Sequence, residues 1–261
     1  MKLRVLASGS RGNAALVWAA GKVVLVDAGL PVAAMTERLV EARLGLRAID
    51  HVLVTHGHLD HSRTAGIIAK RHGASLHAPA EILEHRSLAR APHKEAIPIG
   101  VPFELGAEPG AEPIRLHGAP VPHDCHPTLA LRLEQAGRAL GVLTDCGEPA
   151  EAPARALGEV DVLMLEANHD ADLLRSGPYP EALKARVQGP GGHLSNDQMA
   201  VMLRRLVCPR LHTVVLIHLS ETNNRQDLAL ATARSTLEQL GREDVRVVCA
   251  EQHRALETLE V

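Results

Sequence analysis

Residues 55–62, Thr55-His56-Gly57-His58-Leu59-Asp60-His61-Ser62, place three imidazoles and a carboxylate within six positions. They follow directly on the apolar run His51-Val52-Leu53-Val54. An apolar strand that empties into such a cluster delivers side chains to the end of a sheet, where the active sites of α/β proteins form. His56 and His58 are two apart, so on an extended backbone both point to one side and can chelate one metal ion. Asp60 and His61 are displaced from that pair and can serve a second. The stretch predicts a metal site, and a binuclear one.

Working outward, four more ionisable residues stand where strands should end. Asp27 closes Val23-Val24-Leu25-Val26-Asp27, Asp145 closes Gly141-Val142-Leu143-Thr144-Asp145, and His218 closes Val214-Val215-Leu216-Ile217-His218. His123 lies in Pro122-His123-Asp124. Any one of these alone reads equally well as a capping residue. Four of them beside the cluster point to a shared centre. Cys125 and Cys146 adjoin two of these positions and read as small core-filling residues, and His126 as a surface histidine.

The rest of the chain alternates short β-like runs with helical ones. Strands are expected at Leu3–Ala7, Ala15–Ala19, Lys22–Asp27, Ile49–Thr55 and Ser75–His77, with helices over Pro31–Leu44 and Ser62–His72. Residues 79–112 are Pro-rich and read as an irregular excursion over the site. Further strands are expected at Ile114–His117, Leu129–Leu133, Ala139–Thr144, Val160–Leu165, Thr213–Ile217 and Val245–Val248. Helices are expected at Pro149–Leu157, Asn196–Leu206 and Gln226–Leu240. Two halves with this rhythm imply an α/β protein of the αββα kind: two mixed sheets packed face to face with helices outside, in a single domain over residues 1–261.

Composition narrows the function classes. The 261 residues are 46% hydrophobic and 23% charged, as in an ordinary water-soluble domain. Trp18, Phe103 and Tyr179 are the only aromatics apart from histidine, so no platform for stacking unpaired bases is evident. A net charge of −3 gives no global attraction to nucleic acid, and such binding has to come from local patches, for which Arg11, Arg63, Arg175 and Arg225 are candidates. The four cysteines have no C-x-x-C spacing, which argues against a disulfide framework or zinc knuckle. Met1-Lys2-Leu3-Arg4-Val5-Leu6 enters a strand directly, and no apolar run approaches the roughly 18 residues that span a bilayer. A cytoplasmic protein without membrane attachment is expected.

His56-x-His58-x-Asp60-His61, followed by isolated His, Asp and His at strand ends, resembles the metallo-β-lactamase superfamily over essentially the whole chain. Gly9-Ser10-x-Gly12-Asn13, Leu165-Glu166-Ala167-Asn168-His169-Asp170 and Gly192-His193-Leu194-Ser195-Asn196 are similar to its YycJ/WalJ-like branch, bacterial cytosolic proteins regarded as DNA exonucleases. The resemblance implies that His56, His58 and His123 hold one divalent ion and Asp60, His61 and His218 another. Asp145 is then the bridge and Asp27 an acceptor that orients a ligand histidine. Ligation by imidazole and carboxylate without thiolate suits Zn²⁺ or Mn²⁺. Nucleases of the RNase J kind carry a large domain between the bridging aspartate and the last histidine. The 73 residues from Asp145 to His218 are too few for it.

Two loops are candidates for substrate phosphate. The Gly9–Asn13 turn, with Ser10, Gly12 and Asn13, can aim backbone N–H groups at an anion. Ser195-x-x-Gln198 fits a capping box, which puts Gly191-Gly192-His193 before a helix N-terminus, with Asn168, Ser195 and Asn196 beside it. His193 and His169 compete for the role of leaving-group acid, with Asp60 as the essential carboxylate. These readings favour a binuclear-metal phosphodiesterase, a 5′-exonuclease acting on DNA, with RNA as a further substrate. The rivals are a small ester or thioester hydrolase of the glyoxalase II type, a small or cyclic phosphodiesterase, and, least of all, a non-enzymatic metal-binding regulator.

Overall fold

A computed structural model describes residues 1–45 and 48–261. The chain gathers into two compact units, one of residues 1–118, 133–138 and 251–261, the other of 119–132 and 139–250.

The first unit opens with β1 (Lys2–Ala7), β2 (Ala14–Ala19) and β3 (Lys22–Val26), which pair antiparallel in sequence. Helix α1 (Val32–Glu41) then crosses to β4 (His51–Leu53). The short α2 (Leu59–Ser62) and α3 (Ala65–His72) cross to β5 (Ser75–Ala78), and β6 (His93–Ala96) completes the run. From β3 to β6 the strands are parallel. Parallel pairing sends the carboxyl ends of β3 and β4 to the same edge, and those ends carry Asp27 and the histidine cluster. Met35 and Leu39 of α1 and Ile68 and Ala69 of α3 pack with Leu16, Leu25, Val52 and Leu76 of the sheet. β7 (Phe103–Leu105) follows and pairs antiparallel with the start of β8 (Ile114–Val121).

The second unit continues through β9 (Thr128–Gln135), β10 (Arg138–Leu143), α4 (Glu151–Ala156), β11 (Val162–Glu166), α5 (Ala171–Ser176) and α6 (Glu181–Gln188). It ends with α7 (Asn196–Leu206), β12 (Thr213–Ile217), α8 (Gln226–Gln239) and β13 (Arg246–Cys249). β10 to β13 are parallel, and β11 and β12 are buried along their whole length, as strands covered on both faces must be. Met199, Met202, Leu203 and Leu206 form one stripe of α7 and join Ala229, Ala233 and Leu237 of α8 over this sheet. The Ser195–Gln198 capping box fixes the start of α7. Finally β14 (Leu259–Glu260) returns to pair with β1.

Among the described residues each sheet has seven strands, in the orders β14-β1-β2-β3-β4-β5-β6 and β13-β12-β11-β10-β9-β8-β7. The expected strands and helices are present, the chain adds the short α2 and β14, and two longer stretches differ. The excursion at 79–112 contains the two edge strands β6 and β7, which the sequence hides because β6 reads His-Lys-Glu-Ala with no apolar alternation. Residues 171–188 carry α5 and α6, which were not anticipated: α5 starts at Asp170, whose carboxylate accepts from the Asp172 and Leu173 amides, and α6 buries no residue fully. Among the described residues no helix is long and apolar enough to cross a membrane.

Candidate metal centre

In the first unit the donors come from the loop after β4. His56 and His61 are fully buried, while His58 and Asp60 are partly exposed. The ring of His56 lies 4.9 Å from that of His58 and 4.3 Å from that of His61, centroid to centroid. Asp60 Oδ2 is 3.6 Å from His61 Nε2. Asp27, just past β3, adopts a left-handed conformation at φ 58° that turns its carboxylate back over the loop. There it accepts from the Thr55 amide at 2.9 Å and the Thr55 hydroxyl at 3.0 Å. It also accepts from His61 Nδ1 at 2.7 Å. A carboxylate only accepts, so the proton of His61 sits on Nδ1 and its Nε2 carries the lone pair a metal needs.

Four of the five amides of the Gly9–Asn13 turn are engaged within the fold. The N–H of Gly9 donates to Asn13 Oδ1, that of Arg11 to Gln252 Oε1, that of Gly12 to Gly9 O and that of Asn13 to Asp60 O, at 2.7–3.0 Å. Ser10 is exposed at the tip and Gly12 and Asn13 are buried. The turn instead abuts the backbone of Gly29, and Gly29 abuts that of Asp60. A Cβ on Gly12 would lie 2.7 Å from the Gly29 carbonyl carbon, and one on Gly29 would collide with the Asp60 carbonyl. These glycines allow three stretches of backbone to touch, and the motif anchors the loop that carries Asp60 and His61. The amides of Gly12 and Asn13 are thereby taken up and do not make the phosphate contact expected of them.

In the second unit Asp145 follows β10 and His218 follows β12, both left-handed at φ 50° and 57°. With Asp27 they make three ionisable strand-end residues in the same uncommon conformation, a mark of a site rather than of caps. Asp145, Glu166, His193 and His218 bring one donor atom each within 4.8 Å of one another. Asp145 Oδ1 is 3.1 Å from His193 Nδ1 and 3.0 Å from His218 Nδ1. His123, after β8, directs Nδ1 to the Gly192 carbonyl at 3.0 Å, and its Nε2 lies 3.4 Å from Asp124 Oδ1.

The sequence presents Glu166 only as part of a motif, and the structure makes it a member of the site. Fully buried at the end of β11, it accepts from Cys146 N at 2.8 Å and Leu194 N at 3.2 Å through Oε2. Through Oε1 it accepts from His193 Nδ1 at 2.8 Å and His218 Nδ1 at 3.0 Å. Burial opposes its charge, but the adjacent His193 and both imidazole hydrogen bonds hold its carboxyl below the ordinary range. Burial likewise works against charge on His193, yet Glu166 and Asp145 raise that imidazole to about 9. The signal was available, since Glu166 closes an apolar strand as Asp27, Asp145 and His218 do.

The remaining expected contacts are engaged in the fold. Asn168 Nδ2 donates to His218 O at 2.9 Å, and Asn196 and Asn224 exchange side-chain bonds at 3.0 Å. Ser195 is occupied by its capping box with Gln198. Asn168 ties the loop after β11 to that after β12, Asn196 ties the latter to α7 and Ser195 caps α7, so the side-chain bonds of all three are made within the fold. His169 is only 2% exposed, and its carbonyl accepts from the Asn196 amide. Burial lowers its imidazole to about 4, so it is neutral near pH 7 and a poor acid. His193, 20% exposed and paired with Glu166, is the better donor. Arg175 and Arg225 pair with Asp172 and Asp227, each at 2.7 Å, and Arg63 Nε donates to Gly29 O at 3.1 Å. They do not form a bare basic track. Cys146 is buried with its thiol kept protonated, first by burial and then by Glu166, and His126 is exposed.

The donor chemistry, imidazoles and carboxylates, fits divalent transition metals, and Asp27 and Glu166 bond the Nδ1 atoms of His61 and His218, two of the candidate donors. Residues 22–219 match the family model described as a beta-lactamase superfamily domain. The chain is 32% identical over 238 residues to exodeoxyribonuclease WalJ of Streptococcus pneumoniae serotype 2, covering 91% of this chain and 88% of that protein. It is 29% identical over 240 residues to exodeoxyribonuclease YycJ of Bacillus anthracis, covering 91% and 89%. Among solved structures, the metallo-beta-lactamase fold protein YhfI from Bacillus subtilis superposes with a TM-score of 0.70 at 17% identity, over 98% of this chain and 99% of that one.

Proposed function

The chain belongs to the metallo-β-lactamase superfamily, in its WalJ/YycJ-like branch, and on that premise we propose that it is a binuclear phosphodiesterase, a cytoplasmic 5′-exonuclease on DNA. Its fold class is the α/β one expected, two mixed sheets with outer helices, and it is a metal-dependent hydrolase. The ligand sets we assign are His56, His58 and His123 for one ion, Asp60, His61 and His218 for the other, with Asp145 shared. When bound, Zn²⁺ or Mn²⁺ supplies Lewis acidity toward phosphoryl oxygen and lowers the pKa of water into the neutral range.

The observation that carries the reading is the Glu166–His193 pair at 2.8 Å beside the metal donors Asp145 and His218. Glu166 accepts a hydrogen bond from the Nδ1–H of His193, which leaves the Nε2–H as the proton to give. An alkoxide leaving from phosphorus needs such an acid, whereas a thiolate leaving from a thioester has a low pKa and does not. Asp27 holds the ring of His61 and Glu166 that of His218, so that both keep their Nε2 lone pairs turned outward. His193 serves as the acid in place of His169.

The pairing of Arg175 and Arg225 with carboxylates favours a second reading, a small ester or thioester hydrolase. Metal-loaded protein given 5′-phosphorylated duplex DNA, RNA and a glutathione thioester separates them. We expect mononucleotide release from the 5′ end of DNA. Efficient thioester cleavage with inert DNA refutes the nuclease reading.

A further inference from the structure

The carboxamide of Asn13 is placed against a metal donor. Its Oδ1 accepts from the Gly9 N–H at 2.9 Å and from the Ser8 hydroxyl at 3.2 Å. A backbone N–H only donates, so this contact fixes which end of the carboxamide is oxygen. The Nδ2 end then gives one hydrogen to Gly9 O at 3.1 Å. Its other hydrogen lies between Asp60 O at 3.3 Å and His61 Nε2 at 3.0 Å. With the His61 proton held on Nδ1 by Asp27, the lone pair on Nε2 already accepts from Asn13. The Asp60 carboxylate, 3.6 Å from the same nitrogen, brings no competing hydrogen.

We propose that the Asn13 carboxamide N–H competes with an ion for the lone pair of His61 Nε2 and has to be displaced by it, so that the site built on Asp60 and His61 fills second and more weakly. The inference rests on the binuclear reading. The placement of His61 does not depend on the Asn13 side chain, because Asp27 pins its ring and the Ala28 amide holds its carbonyl at 2.7 Å. The Asn13 amide, which survives any substitution except proline, holds the Asp60 carbonyl at 2.7 Å. Gln252 still ties the turn through Arg11 N and Gly12 O. Removing the carboxamide therefore keeps the donors in place and removes their competitor.

Metal-free wild type and Asn13→Ala are titrated with Zn²⁺ against a chromophoric chelator, which yields the stepwise dissociation constants. The weaker constant should tighten in Asn13→Ala by about three- to tenfold, the worth of one net hydrogen bond, with the tighter one unchanged. A weaker constant that is unchanged or looser overturns the proposal and leaves the binuclear reading standing. A wild type that takes up fewer than two ions overturns the binuclear reading, and the proposal with it. Wild type alone supplies a second measurement that does not depend on folding of the variant. The Asn13 side-chain NH₂ resonances should move with the second equivalent of Zn²⁺ and not with the first. Movement with the first equivalent, or none, overturns the proposal.

Discussion

Replacing Glu166 by Gln exchanges one oxygen for NH₂ and reverses what the group asks of its neighbours. The two backbone donors, Cys146 N and Leu194 N, both meet Oε2, and the two imidazoles, His193 and His218, both meet Oε1. The glutamine oxygen can keep the backbone pair, which turns its NH₂ toward both Nδ1 atoms. An N–H facing Nδ1 demands a lone pair there and moves the ring proton of His218 to Nε2, the nitrogen an ion would use. Two hydrogen bonds to a charged acceptor, about 1.5–3 kcal/mol each, are lost, a total of about 3–6 kcal/mol before the rings switch tautomer and recover part of it. Loss of an orienting partner behind a ligand histidine lowers metal affinity about 10–100-fold. Loss of an oriented general acid adds about 10²-fold or more. Glu166→Gln should therefore drop kcat on 5′-labelled DNA by at least about 10³-fold and weaken one ion in a chelator titration. If about 3 kcal/mol of stability is lost, the melting temperature falls by roughly 6–12 °C. A variant that binds both ions with wild-type affinity and turns over within about threefold refutes the role given to Glu166.

Reconstituted protein should carry close to two transition-metal ions per chain by elemental analysis, and failure to take up any metal removes the basis of the site. Asp60→Ala should keep the fold by circular dichroism and lose at least about 10³-fold in rate, whereas near-normal rates would show that another carboxylate is essential. Gly29→Ala should destabilise by about 3 kcal/mol or more in urea, because its Cβ meets the Asp60 carbonyl, and a neutral result would contradict the backbone contact. His77 accepts or donates at 3.1 Å with His51 and faces Glu95 at 3.5 Å, and burial followed by the charge of His51 lowers it to about 4 from 6.5. Its folded pKa lies below its unfolded one, so the unfolded chain takes up the proton first. Its share of stability, of order 3 kcal/mol, is present above pH 6.5 and is lost as pH falls toward 4. His77→Gln should flatten the stability curve over that interval. Cleavage of DNA should respond shallowly to salt, with a log–log slope no steeper than about −3, since Arg175 and Arg225 are paired, and a steep slope would reveal a basic track.

What the sequence alone determined is local. Thr55–Ser62 specifies much of its own geometry: a buried strand ends, two histidines alternate, and Asp60 and His61 stand displaced from that pair, although the helical turn that carries them comes from the structure. No partner distant in sequence is needed to read that. Asp27, Asp145 and His218 were legible for the same reason, as charges at the ends of apolar runs, although nothing in the chain announced their shared left-handed backbone. Glu166 offered the same pattern, but its importance depends on receiving His193 and His218, 27 and 52 positions away. Only packing can supply such partners. The Gly9–Asn13 turn shows the opposite failure. Its amides look free to take an anion until tertiary structure brings Asp60 and Gln252 against them. The same holds for Asn168 and Asn196, polar residues whose partners arrive from the loop after β12. Covalent spacing sets which groups can reach a common point. Whether their hydrogen bonds are already satisfied is settled by segments far away along the chain, and there the tertiary structure alone decided.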